Sequence, residues 1–362
     1  MKKTVINVLA IFAIGIAIVS CEKEDKLSNN SVLTKEDPIM NSTDMYLAST
    51  FTDPYNMTVS YRWDRNQYGT GKDVARNLYP AKLVNVKPAL EMVDKVWLKT
   101  YEEVAGKDFV KKIRPGDLLI AGGYAFNDDG TRTLGLASGG VQITLYETDF
   151  LGGDVFAARQ FIHTIQHEYI HIINQTKEFS ELEFGKNNRG SYTSQWYELP
   201  QGLNGKRDVN GNPWNIDSYG NILGFITGYS RSNTFEDFAE TASVSLAKTP
   251  AEIQAIFKEI KKYEVMTDAE RAKYGLTPDV YKAGGVEKIQ FKLNFVKEYF
   301  KSECNIDFDQ LVKVANKNAA ESPMLNRGGE NAISVFGNRT INSKNVVRYC
   351  QSHANVSKEV KL

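Results

Sequence analysis

Cysteine and histidine are both scarce here, with three cysteines and four histidines in 362 residues. Three cysteines cannot build a disulfide framework, so the fold has to rest on a hydrophobic core, which a chain of this length can bury. Net charge is missing as well, since 44 Lys and Arg balance 44 Asp and Glu. No bulk field therefore draws the chain to nucleic acid or to an anionic lipid surface, and nucleic-acid partners are set aside. The absence of internal repeats and of long low-complexity tracts argues against solenoid and fibrous designs. Apolar runs long enough to span a bilayer are absent too. The longest, residues 5–19, is short of the roughly 20 residues a spanning helix needs.

That run is an address. Lys2 and Lys3 precede it, and it ends in Ile18-Val19-Ser20-Cys21, which resembles a bacterial lipobox. Cleavage there would leave Cys21 as a lipidated first residue; the alternative is an ordinary signal peptide with an incidental cysteine. Residues 1–20 then form a lipoprotein signal peptide, and 21–45 a polar, disordered tether with too few apolar residues to fold. Glu22, Glu24 and Asp25 act either as an export signal to the outer surface or as plain solvated linker. The expected place is the cell envelope, as an outer-membrane lipoprotein that touches the membrane only through its lipid. Cys304 and Cys350 form one disulfide in an oxidising compartment or stay as two thiols.

Periodicity sketches the remainder. Residues 57–61 alternate like a strand, and residues 87–104 carry Ala89, Leu90, Val93, Val96, Trp97, Tyr101 and Val104 at helical spacing. A buried strand is expected at 118–121. A hairpin turn follows at Asp128-Asp129-Gly130, then a strand around 131–136. Residues 141–146 alternate apolar and polar, which suggests a half-exposed strand, with a sheet edge as one placement. Helices are expected at 155–174 and 234–247, with a Gly/Asn/Ser-rich loop over 184–220 between them. From Thr249-Pro250 the chain reads as mainly helical to about residue 320; the tail after Pro323 carries little pattern.

The informative segment is His167-Glu168-Tyr169-Ile170-His171. Side chains four apart on a helix share one face, so both imidazoles can reach one ion. Glu168 is rotated by about 100° from His167 and can face a water without ligating. This is the H-E-x-x-H arrangement of two zinc ligands and a general base. Three of the four histidines lie within residues 163–171, a clustering that favours metal over core packing. His163 sits one turn earlier, but Thr164 occupies the place where that register would need its glutamate, so His163 supports or packs. Catalytic zinc needs a third ligand and an open position. Glu236 and Glu240, one turn apart in Glu236-Asp237-Phe238-Ala239-Glu240, offer one ligand and one partner for a ligating imidazole.

The two segments together resemble the gluzincin metallopeptidases, whose third ligand is a glutamate on a helix downstream of H-E-x-x-H. The nearest pattern is an E-x-F-A-E helix preceded by a tyrosine seven residues before the ligand, here Tyr229 before Glu236. The resemblance implies Glu236 as ligand, Glu240 behind a ligating histidine, Tyr229 as oxyanion donor and Glu168 as base. Over roughly residues 46–247 the chain also resembles a family of zinc metallohydrolase lipoproteins associated with outer-membrane nutrient import. Tyr61-Arg62-Trp63-Asp64, Leu134-Gly135 with Gly139-Gly140, His163-Thr164-Ile165 and Glu236-Asp237-Phe238 carry that likeness.

What the resemblance implies is an α+β, zincin-like fold with a small mixed sheet packed on the H-E-x-x-H helix and a mainly helical C-terminal part. The catalytic domain would span 46–250, and a helical subdomain with its tail 251–362. The implied cofactor is Zn2+, and the implied partners are a peptide or protein substrate and an outer-membrane nutrient importer. Residues 141–146 pair with an extended substrate, by analogy with related enzymes, or are plain core sheet; Trp196 and Tyr197 line a pocket or pack their loop. Two other functions fit the same residues. One is a zinc hydrolase for a non-peptide amide or ester, and the other a non-catalytic lipoprotein that binds a nutrient for an importer.

Overall fold

Residues 40–62, 78–128, 130–151, 155–322 and 325 are described by a computed structural model. Cys21, the signal segment and most of the tether, Trp63, Asp64, Asp129 and the tail with Cys350 lie outside the described residues. Among the described residues, no helix is long and apolar enough to cross a membrane.

One four-stranded mixed sheet organises the first half. Its strands are β1 (Thr58–Ser60), β2 (Asp117–Ile120), β5 (Gly135–Ser138) and β6 (Gln142–Leu145), in the order β1-β2-β6-β5. β1, β2 and β6 run parallel, and β5 runs antiparallel to β6 with Leu136 opposite Thr144. A parallel pair needs a long crossover. Between β1 and β2 the helical connection is α1 (Leu83–Val93), a π-helical turn (Asp94–Leu98) and α2 (Lys99–Ala105), followed by a short helix (Lys107–Lys112). Between β2 and β6 the chain leaves the sheet, makes the hairpin β3 (Ala125–Phe126) and β4 (Arg132–Thr133), and returns as β5.

The sheet corrects one expectation. β6 is an interior strand with Ile143 and Leu145 fully buried, and even its polar Thr144 is only 4 % exposed. Alternation marks two faces, but it cannot show that the polar face is covered as well. The free edge beside the long central helix belongs to β5, whose Leu136 is 45 % exposed. Between the two strands, Gly139 and Gly140 both take positive φ, 56° and 72°, which the tight turn requires.

α1 also begins earlier than periodicity indicated, at Leu83 rather than 87. Val86, Ala89 and Leu90 bury its inner face, while Asp149 accepts from the Lys82 N–H at 2.9 Å and from Asn85 Nδ2 at 2.8 Å. That remote carboxylate secures the first turn, a tertiary contact invisible in a local window.

The central helix α3 (Val155–Thr176) carries the H-E-x-x-H segment. Tyr169, inside the motif, turns away from the histidines. Its ring packs on Trp97 at 5.0 Å and Tyr101 at 4.8 Å, and its hydroxyl donates to the Ile113 carbonyl at 2.6 Å. Burying an aromatic of this size is worth roughly 4–6 kcal/mol. Gln166 Nε2 donates to the Val96 carbonyl in the π-helical turn at 2.7 Å. The motif is therefore held rigidly from behind.

The stretch expected as one loop over 184–220 contains the start of α4 (Ile216–Leu223), opened by a capping box between Asn215 and Ser218. α5 (Thr234–Ala247) follows, then α6 (Pro250–Glu264), α7 (Gly285–Cys304) and α8 (Phe308–Ala320). Val296, Tyr299, Phe300, Leu311 and Ala315 from the last two helices enter the same core as Tyr169, Phe238 and Ala242. The described residues from Ser42 onward form one compact unit.

α7 also supplies a buried cation. Lys292 Nζ lies 2.5 Å from Asp237 Oδ2, with both side chains at most 1 % exposed. Tyr192 donates to the same carboxylate at 2.8 Å, and Lys292 donates to the Gly224 carbonyl at 3.0 Å. The pair ties α7 and two loops to the first turn of α5; removing one partner of such a pair costs about 3–5 kcal/mol. Cys304 is buried and forms no disulfide among the described residues.

Candidate metal centre

Two helix starts and one long helix place the site. Asn233 caps α5 by accepting from the Phe235 and Glu236 N–H groups at 2.9 and 3.0 Å, so Glu236 sits in the first turn with its backbone fixed. Across from it, His167 and His171 project from α3. His167 Nε2 is 2.9 Å from Glu236 Oε2, His171 Nε2 is 3.2 Å from the same oxygen, and the two imidazole nitrogens are 3.0 Å apart.

A triangle of these sides has its corners about 1.8 Å from its centre, just inside the 2.0–2.2 Å bonds that zinc makes to nitrogen and oxygen. Two imidazoles and a carboxylate are also the donors zinc prefers. The three residues fit the ion by spacing and by chemistry. Ion attraction would come on top of the existing charge balance. Burial opposes ionisation of Glu236, yet its hydrogen bonds with His167 and His171 outweigh that and hold its carboxyl at about 2. Burial likewise disfavours a charged His167, while Glu236 and Glu240 raise it well above the ordinary imidazole range. Metal binding would displace that proton.

Behind the triangle stands Glu240, 3 % exposed. Its Oε1 lies 2.7 Å from His167 Nδ1 and 3.1 Å from His163 Nε2, close ion-pairing contacts that fall off the ideal hydrogen-bond line. Its Oε2 accepts from Thr227 Oγ1 at 2.6 Å. Contact at Nδ1 leaves His167 Nε2 for the ion. His163 therefore meets Glu240 and, edge to face at 6.1 Å, the ring of His167, without supplying a corner of the triangle. Thr227 carried no sequence signal at all; only the fold brings it to Glu240.

Glu168 is buried beside the triangle, 6 % exposed. Burial pushes its carboxyl up, against the pull of His167 and His171, while the Ala137 N–H of β5 hydrogen-bonds it. A base with a pKa raised toward neutrality is the better proton acceptor at working pH. Gly135, also on β5, passes so near that a Cβ there would lie 2.8 Å from Glu168 Oε1 and 2.6 Å from Thr164 Cγ2.

Tyr229 opens a short 3-10 turn (Tyr229–Arg231). Its ring is 5.9 Å from that of His167 and 4.8 Å from that of Trp196. Burial first, then Glu236, Glu240 and Glu168, push its hydroxyl far up, so it stays a neutral donor. Trp196, Tyr229, His167, Glu168 and Gly135 share a cavity of about 430 Å³. Tyr197 instead packs edge-on against Trp196, 5.7 Å between centroids. All six residues singled out for metal or chemistry thus converge, while Cys21 is outside the described residues.

The chain is similar to known proteins described as zinc-binding. A family model described as "Putative zinc-binding metallo-peptidase" matches residues 37–309. A crystal structure of a Bacteroides caccae protein with the same description shares 26 % identity, with a TM-score of 0.54, and the match covers 77 % of this chain and 91 % of that one. No curated protein matches the chain.

Proposed function

The chain belongs to this zinc-binding metallo-peptidase family, and from that premise we propose that it is a gluzincin-type peptidase, tethered to the outer membrane through Cys21. The observation that carries the reading is the triangle of His167, His171 and Glu236 with an ionisable, buried Glu168 beside it. A purely structural metal site has no use for that base.

Bound by these three residues, zinc supplies a Lewis acid for the scissile carbonyl and lowers the pKa of water toward about 7. The chain's own groups do the rest. Glu168 takes the proton of the attacking water and returns it to the leaving amine. Tyr229 O–H donates to the oxygen on which negative charge develops, where a fixed donor is most effective. Glu240 orients His167 through Nδ1. An extended peptide would lie along the free edge of β5; of the two readings for residues 141–146, substrate pairing or core sheet, the interior place of β6 favours core sheet. The tether would place this site in the cell envelope, beside a nutrient importer as partner.

Because Gly135 leaves no room for a side chain, Gly135→Ala is expected to shift Glu168 while leaving the three ligands alone. A displacement of about 1 Å in a reacting group can lower the rate about 100-fold. Zinc stoichiometry should stay that of the wild type as kcat/KM falls; wild-type turnover in this variant would remove Glu168 from the reaction.

Substrate class is tested by presenting the zinc-loaded protein with a peptide library beside small amides and esters, with a chelated control. Zinc-dependent cleavage confined to peptides is the expected result. Cleavage of the small amides or esters alone would replace the peptidase reading with that of a different zinc hydrolase.

A further inference from the structure

The cavity beside the metal triangle extends well past the residues that do chemistry. Along α3, Arg159, His163 and His167 succeed one another four apart on the cavity side. At 1.5 Å per residue, Arg159 lies about 12 Å along the axis from His167. α5 supplies the other wall and runs the opposite way: Glu240 meets His163 and His167, and Lys248, the C-cap, stands at the Arg159 end. Between these ends the walls are apolar, with Leu134, Phe156, Ile216, Val244 and Ala247.

The charges at the far end do not cancel pair by pair. Arg159 pairs with Glu252 Oε1 at 3.0 Å, and the other oxygen of Glu252 is taken by the Thr249 N–H and hydroxyl at 2.7 and 2.9 Å. Arg132, the third cation on the wall, pairs with Glu147 at 2.9 Å. Asp217 faces the same space; its Oδ1 accepts from the Gly228 N–H at 2.8 Å, and burial pushes its carboxyl up. Lys248 lines the cavity half-buried and makes no salt bridge within 4 Å among the described residues; its charge acts on Asp217 and Glu252 only at longer range. An ammonium against apolar walls is screened less than one on an open surface.

We propose that Lys248, with Arg159 beside it, binds a carboxylate of the substrate, so that the site selects peptides bearing an acidic group two to three residues from the scissile bond. The span follows from about 12 Å of cavity at roughly 3.3 Å per extended residue, less the reach of the lysine stem. This rests on the peptidase reading above. The carboxylate belongs either to an acidic side chain or to the free C-terminus of a short peptide, and matched substrates separate the two.

The test uses the zinc-loaded full chain and fluorogenic peptides in matched sets: Glu against Gln at each position within three residues of the bond, and free acid against amide at the C-terminus. kcat/KM is measured for the wild type, Lys248→Glu, Lys248→Met and Lys248→Arg. Binding of the same peptides to a Glu168→Gln background is read by fluorescence anisotropy. The wild type should prefer one acidic set by about tenfold or more, a size expected for one well-placed charge pair. Lys248→Met should lose the preference, Lys248→Glu reverse it, and Lys248→Arg keep it. Zinc stoichiometry and melting temperature check that each variant is folded. Equal handling of acidic and neutral partners, or a preference that survives Lys248→Glu, overturns the proposal. If the wild type cleaves none of the peptides, the peptidase reading fails separately, and anisotropy still decides: tighter binding of acidic peptides that vanishes with Lys248→Met keeps the carboxylate site, and equal binding ends it.

Discussion

Glu168→Gln should keep its zinc and lose hydrolysis by about 10²–10⁴-fold, the usual contribution of a positioned general base. That range equals about 3–5 kcal/mol of barrier. Glutamine matches glutamate in shape and can still accept the Ala137 N–H, so packing beside β5 is preserved. What disappears is the ability to hold a proton during attack and pass it to the leaving group. Because Glu168 is not one of the three residues of the triangle, metal content should match that of the wild type. The measurement pairs kcat with zinc content by elemental analysis. Activity within tenfold of the wild type, with zinc bound, would exclude Glu168 as the base.

The second large effect concerns the triangle itself. Wild type purified with zinc should hold one ion per chain, and the double variant His171→Ala/Glu236→Ala should hold none. Two of the three donors are then gone, and His167 alone is a weak monodentate site. Each single variant should bind at least about 100-fold more weakly, beyond what loss of a merely orienting neighbour costs. The difference is also visible in stability. Zinc at 1,000 times its Kd stabilises the native state by about 4 kcal/mol, so a chelator should lower the melting temperature of the wild type and leave that of the double variant unmoved. Zinc absent from the wild type, or retained by the double variant, would dismantle the site as drawn.

Some of this architecture was legible before any coordinates. α3 and α5 are long unbroken helical runs, and α5 opens on an asparagine whose side chain caps it, so a one-dimensional pattern locates both. The H-E-x-x-H spacing placed three functional groups on one turn for the same reason: neighbours on a helix face are neighbours in sequence. The convergence of Glu236 on His167 and His171 is different in kind. It spans 65–69 residues: helical spacing offered Glu236 and Glu240 as a ligand and its partner, the resemblance to known zinc enzymes assigned the ligand role to Glu236, and only the fold makes the 2.9 and 3.2 Å contacts.

Where local pattern failed, the deciding contacts were distant ones. Residues 141–146 alternate like a half-exposed strand, but pairing with β2 on one side and β5 on the other makes β6 interior. The helix inside the expected 184–220 loop was missed because its start depends on a cap at Asn215, within a stretch whose composition signals turns.

The sequence alone determined which residues are candidates to hold zinc and to move a proton on the H-E-x-x-H turn, because ligand chemistry and helical spacing are local properties. Tertiary structure alone decided that β5 and not β6 is the open edge, that a buried Lys292–Asp237 pair holds the turn bearing Glu236, and that Lys248 and Arg159 line one cavity with His167 and Glu168. Those outcomes depend on which surfaces meet, and burial and charge pairing between remote segments leave no periodic trace in the chain.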